Sequence, residues 1–327
     1  MTVALGHAPG IATPPQVSDA GGTGQRARWT CGALVALAAG VALAALLGPL
    51  TGGPIHYHVS VDALNQVIGG DLVAVALVAP VSLFAALLAW RVHPAAPVVA
   101  LGPAVFAVYT YAQLAIGGEY ARYEGNSERF FILHLAIFVL GSAIALRSWA
   151  SIKALRLPPM DRRSRRVLGW FVIAVAGFVL VGLHLPTLID AWRDRPQRPE
   201  YLADPGVFWV VKLMDLGIVV PTLTAVGVGL LRGADWAHKA AYGALGWFAL
   251  LGSSVAAMAV VMQVNADPAA SAVNTIAFGL FALVGLTVAV RLLRPLLARG
   301  FTDMNPSPTD EGTKASRSTV PIKGVSR

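Results

Sequence analysis

The sequence has little charge. Asp, Glu, Lys and Arg make up 13% of its 327 residues, against roughly 25% in a soluble globular protein. A chain this poor in charge cannot cover a water-facing surface, which excludes an ordinary soluble enzyme or binding module. Cysteine is nearly absent as well. Cys31 is the single one, so no disulfide forms within the chain and no CxxC redox or zinc motif exists. Also missing are a Walker-type phosphate loop, a GxGxxG entering a helix, an HExxH zinc motif and a GxSxG nucleophile elbow. No arginine-rich span marks a voltage sensor. These absences lean against an enzyme and against an ATP-driven pump made of this chain alone.

What the chain does have is apolar residues, 56% of the total, with a mean hydropathy of +0.65. A membrane-spanning helix needs about 20 apolar residues to cross about 30 Å of hydrocarbon. Eight runs meet that length: 29–51, 71–91, 98–116, 130–152, 167–190, 207–231, 240–262 and 270–293. All exceed the roughly 9–11 residues of a membrane β-strand. Backbone polar groups in lipid must bond within their own segment, so helices follow. The expectation is an all-α, polytopic transmembrane bundle of eight spans. Residues 1–28 and 294–327 read as disordered cytoplasmic tails, being rich in Gly, Pro, Ser and Thr. The first apolar run is too long for a signal peptide and lacks a small-residue cleavage site.

The net charge of +8 does not point to nucleic acid, because the bases sit in short loops between apolar runs. Alternate loops carry Arg26 and Arg28; Arg91; Lys153 to Arg166; Arg232 and Lys239; and Arg291 to Arg299. The intervening loops have no base or balance it with acid. The positive-inside rule then places both termini in the cytoplasm. A bacterial inner membrane is the expected location, with the lipid bilayer as the first partner.

Ionisable groups within spans mark functional sites by default. Lys212 and Asp215 lie three residues apart in the sixth span and so share a helix face. They read either as a substrate or proton site or as a self-neutralising ion pair. His134, His184, Tyr109, Tyr111, Gln113 and Asn274 fall in the outer half of their spans, with Asp71 and Asp190 at its boundary. The cytoplasmic half is nearly all Ala, Leu, Val and Gly. This asymmetry suggests an outward-facing polar pocket, with Lys212, Asp215, Gln113, Tyr111 and Glu119 as candidate binding residues. Each residue also has a plainer reading. Tyr109 and Tyr111 suit an interfacial aromatic belt, and His184 suits a local partner for the carbonyl that Pro186 leaves free. The 117–129 loop, with Glu119, Arg122, Glu128 and Arg129, reads as a lid or as a solvated loop. His56 and His58 lie in an outer loop. Pro221 predicts a kink in the sixth span, with Gly227 and Gly229 beyond it. Gly243, Gly246 and Gly252 in the seventh predict close helix packing.

Three stretches carry a resemblance: Gly69-Gly70-Asp71-Leu72-Val73, Tyr109-Thr110-Tyr111-Ala112-Gln113 with the Glu119-Tyr120 loop, and Met214-Asp215-Leu216-Gly217 running on to Pro221. In this order the chain resembles a group of uncharacterised bacterial multi-pass membrane proteins. The resemblance implies the topology and pairs Asp215 with Pro221, but implies no activity. Three functions compete. The first is a transporter or permease that binds a small solute or cation. The second is a redox or metal protein, with His134 and His184 as axial haem ligands or joining Asp215 around a metal. The third is a non-catalytic sensor or assembly component. No cofactor is named by the sequence.

Overall fold

The computed structural model describes residues 20–153 and 157–299. Every regular element among them is helical, and eight helices are long and apolar enough to cross a membrane. They are α1 (Ala20–Leu47), α2 (Val61–Trp90), α3 (Ala96–Ile116), α4 (Phe131–Ser151), α5 (Arg162–Ala191), α6 (Pro205–Arg232), α7 (Asp235–Val264) and α8 (Ala272–Arg299). The chain is therefore an all-α, multi-pass bundle. One end carries the connections 48–60, 117–130, 192–204 and 265–271, and is called the loop end. The other, the basic end, carries Arg28, Arg91, Lys153 and Arg162.

Several boundaries differ from the apolar runs. Residues 20–28 and 294–299 are helical, so these parts of the expected tails are corrected. A formed helix gains one hydrogen bond per added residue, which carries it past the apolar run. The remaining tail residues, 1–19 and 300–327, lie outside the described residues. The larger difference is at α2, which begins ten residues before its apolar run, at Val61. Ser60 caps it, its hydroxyl accepting from the Ala63 amide at 3.2 Å. Within this first stretch Asn65 finds a partner in a distant loop, Asp267 at 2.7 Å, and Gln66 bonds Asp62 of the same helix.

The core is centred on α7, which packs along α2, α3, α6 and α8. It comes from the second half of the chain yet lies against the first, so the two halves interlock. Glycines permit the approach. A Cβ on Gly69 would stand 2.4 Å from the Met258 Cα, and Gly102 lies directly against Gly246. The expected packing role of Gly243, Gly246 and Gly252 is met by Leu101, Gly102 and Ala282 respectively. Gly227, expected beside a kink, packs against Gly169 and Ile173 of α5 instead.

The helical ladder widens to π-turns at three places: Ala74–Val78 in α2, Phe178–His184 in α5 and Asp215–Val219 in α6. Each stops two residues before a proline, namely Pro80, Pro186 and Pro221. Proline has no N–H, and its ring pushes on the carbonyl four residues back. A wider turn gives that carbonyl room and another donor. The kink expected at Pro221 takes this form. Pro103 in α3 and Pro295 in α8 have no π-turn beside them, so proline alone is not sufficient.

Gly69→Val is expected to drive α2 off α7 and cost about 3 kcal/mol, the upper end for overpacking. Gly279→Ala, at a glycine with nothing within 4 Å, serves as the control. Thermal unfolding in detergent should show a lowered midpoint for the first and an unchanged or slightly raised one for the second.

Candidate functional site: a polar cavity beneath the loop end

Asp71 sits ten residues into α2, about 15 Å along the helix at 1.5 Å per residue. This corrects its expected place at the membrane boundary. The cause is the early start of α2, which carries the whole Gly69–Asp71 stretch into the bundle. Asp71 is 6% exposed, and its Oδ2 is buried with no hydrogen-bond partner. Among the described residues no basic side chain forms an ion pair with it. It lines a cavity of about 130 Å³ together with Tyr57, Tyr109, Gln113 and Ser254. The Gln113 Nε2 is also buried without a partner. A buried carboxylate oxygen and a buried amide donor, both unsatisfied, thus border one small space.

Beside this cavity three helices meet through one carboxylate. The Tyr109 hydroxyl of α3 donates to Asp215 Oδ1 at 2.5 Å. The His184 Nε2 of α5 lies 2.7 Å from Asp215 Oδ2. Asp215 opens one π-turn and His184 closes another, so both proline-widened turns deliver a residue to the triad. Tyr109 lines the 130 Å³ cavity, and His184 lines a second, of about 370 Å³, with Asp62, Glu200, Asp204 and Lys212. The two cavities share Gln66 and Val211 as walls. The triad is therefore a continuous hydrogen-bonded link between a residue of the buried cavity and a residue of the charged vestibule, and it stops at His184, whose Nδ1 is buried with no partner.

Three stretches of the loop end close over the cavity. Gly117, Gly118, Ser127 and His58 line its roof. Glu119 accepts from the Gly206 amide, and Arg122 donates to the Ala203 carbonyl at 2.7 Å. Ser60 donates from its amide to Asp204 Oδ1 at 2.9 Å. His58 is the fastening point. Its Nδ1 lies 2.8 Å from the Tyr123 carbonyl and its Nε2 2.8 Å from Glu128 Oε2. Both partners only accept, so both bonds need a proton on each ring nitrogen. These bonds push the His58 pKa above its ordinary 6.5, the Glu128 bond foremost. Tyr57, on the same loop, is pushed upward by burial and then by the Asp71 charge. It stays a neutral phenol, bonded to His134 Nε2 at 3.2 Å.

The residues singled out from the sequence divide accordingly. Gln113 lines the cavity, and Asp215 and His184 form the triad. Tyr111 does not line the cavity; it is buried, with its hydroxyl 3.4 Å from the Val41 carbonyl of α1. Glu119 ties the lid rather than lining the cavity. Lys212 faces the vestibule, its Nζ 4.2 Å over the Phe208 ring, and forms no ion pair with Asp215 within the described residues. The expected Lys212–Asp215 pair is therefore corrected. The helix widens at Asp215, and its carboxylate turns to Tyr109 and His184. His134 and His184 belong to separate hydrogen-bonded groups, and each uses its Nε2 there. Among the described residues no three His, Cys, Asp or Glu side chains are arranged to hold a metal. Sequence reasoning did not select Asp71, which it put at the boundary, nor Tyr57 or Ser254, as lining the pocket. Ser60 followed by Asp62 was the available signal, because it marks a helix start ten residues upstream of Asp71.

No family model, curated protein or solved structure matches this chain.

The His58 latch carries a pH dependence. Its folded-state pKa is raised, so its contribution to lid docking is complete below 6.5 and lost as pH rises through the folded value. Hydrogen exchange of residues 117–126, corrected for intrinsic rates, should lose protection over that rise. Glu128→Gln should move the loss to lower pH. Flat protection in the unaltered protein would refute the latch.

Proposed function

We propose that this chain is a permease-like carrier that takes a small cation or cationic solute into the Asp71 cavity from the loop end. One observation carries this reading: a buried carboxylate oxygen in mid-helix has no partner and borders a cavity. An uncompensated charge within a membrane is costly and marks ion and substrate pathways. A bound cation or a proton supplies the missing compensation. The size fits a small ligand, since a cavity of about 150 Å³ accepts a benzene-sized molecule. The Tyr109–Asp215–His184 link supports coupling to protons. It runs unbroken from Tyr109 of the cavity wall to His184 of the vestibule wall, and carboxylate–histidine chains serve as proton relays in transporters.

We place the loop end outside and both chain ends in the cytoplasm of a bacterial inner membrane, because the uncompensated bases collect at the other end. The likeness to bacterial multi-pass proteins supports the same placement. The stretches that carry it hold Asp71, Tyr109, Gln113 and Asp215.

Proteoliposomes holding a pH-sensitive dye test the proposal against gradients of sodium, potassium, methylammonium and guanidinium. At least one gradient should drive a lumenal pH change above that of protein-free vesicles. Asp71→Asn should abolish the change, and Asp215→Asn should slow it by about a hundredfold or more, in the range of a lost general acid–base group. Silence across all four solutes, or full activity in Asp71→Asn, would overturn the proposal.

A further inference from the structure

A second, larger cavity lies toward the basic end. It has a volume of about 490 Å³ and is walled by α3, α6 and α7 with one residue of α4. Its lining is nearly all apolar. Trp149 and Trp236 stand at the basic end, and Tyr109 and Trp247 at the deep end near mid-helix. The groove therefore runs lengthwise along the helices, from the aromatic boundary of one membrane face to the wall of the triad. Its volume is on the scale of one lipid acyl chain. The mouth has a polar feature the walls lack. The Lys239 Nζ lies 4.1 Å over the Trp149 ring, and the next residue, Ala240, lines the groove. Arg232 is exposed at the adjacent end of α6. Among the described residues no acidic side chain forms an ion pair with either base. Basic pockets between membrane helices bind anionic head groups, and tryptophan favours the level of those head groups.

We propose that this groove is a site for one acyl chain of an anionic phospholipid, with Lys239 holding the phosphate at the mouth and the chain end packed against Tyr109 and Trp247. The site is separate from the Asp71 cavity, and its test does not require transport. Tyr109 borders both spaces, with its ring edge-on to Trp247 at 5.6 Å. The lipid chain thereby packs against the same ring whose hydroxyl reaches Asp215.

The test uses vesicles of equal parts phosphatidylcholine and phosphatidylglycerol, with bromine on the acyl chains of one lipid or the other. Quenching of Trp247 is taken as the difference between the unaltered protein and Trp247→Phe. Brominated phosphatidylglycerol should occupy the groove with about a fivefold preference, the effect of one lysine at an anionic surface. Lys239→Gln should remove the preference and Lys239→Arg should keep it. Equal quenching by both lipids in the unaltered protein would mean ordinary surrounding lipid fills the groove. Absence of quenching would mean no chain enters it. A preference that survives Lys239→Gln would place the head group elsewhere. Each of these three results overturns the proposal.

Discussion

The Asp215 carboxylate is the interaction on which the interior depends. A charge buried among apolar helices is tolerated only when its hydrogen bonds are met, and here the two partners come from two other helices. Tyr109 of α3 and His184 of α5 converge on the two oxygens of one residue of α6. Removing any member strands the others, so the three helices are fixed in register at this depth. The position of the Tyr109 ring follows from that register. It forms a wall of the polar cavity on one side and the end of the apolar groove on the other.

The two ends of the bundle are held by different chemistry. At the loop end polar groups are matched to one another across the loops. Ser60 meets Asp204, Asn65 meets Asp267, Glu119 meets Gly206, and His58 meets Glu128. The result is a tied polar layer over the buried cavity. At the basic end the cations lie on aromatic rings instead, Arg147 at 4.6 Å over Trp29 and Lys239 at 4.1 Å over Trp149. Such a contact leaves the net positive charge in place. One end is neutralised from within and the other remains open to anionic partners. In the proposed function this division matches a closed entrance for solute on one side and a lipid contact on the other.

The span count was legible because apolar length is a coarse signal that little can disguise. Eight long runs became eight helices. Where α2 begins was not legible from hydropathy, because residues 61–70 carry Asp62, Asn65 and Gln66, and Asn65 finds its partners, Asp267 and Asn265, in a distant loop. That single boundary hid Asp71, which looks peripheral when the helix is started at residue 71 and central when it is started at Val61. The pairing of Lys212 with Asp215 failed for a different reason. The three-residue spacing rule assumes a regular α-helix, and this one widens at Asp215. The sequence positions the histidines along their helices, but position along a helix says nothing of which neighbours lie alongside. His134 went to Tyr57 and His184 to Asp215.

The two polar groups near mid-bundle are unlike in a way that bears on how they would share work. The triad is satisfied at the Asp215 carboxylate, so a proton can pass along it by exchange of bonds, with little motion of atoms. The Asp71 and Gln113 side chains are unsatisfied, and a group in that state gains most from a ligand that brings both charge and an acceptor. Each of the three π-turns lies beside one of these acidic or basic residues, in α2, α5 and α6. A turn that already departs from the α-ladder has a neighbouring hydrogen-bond register available to it. In the proposed function, binding at Asp71 would be felt in α2 without breaking the helix, and proton movement at Asp215 in α6 likewise. Tyr109 of α3 borders the Asp71 cavity and bonds Asp215, so in that function it would touch both events.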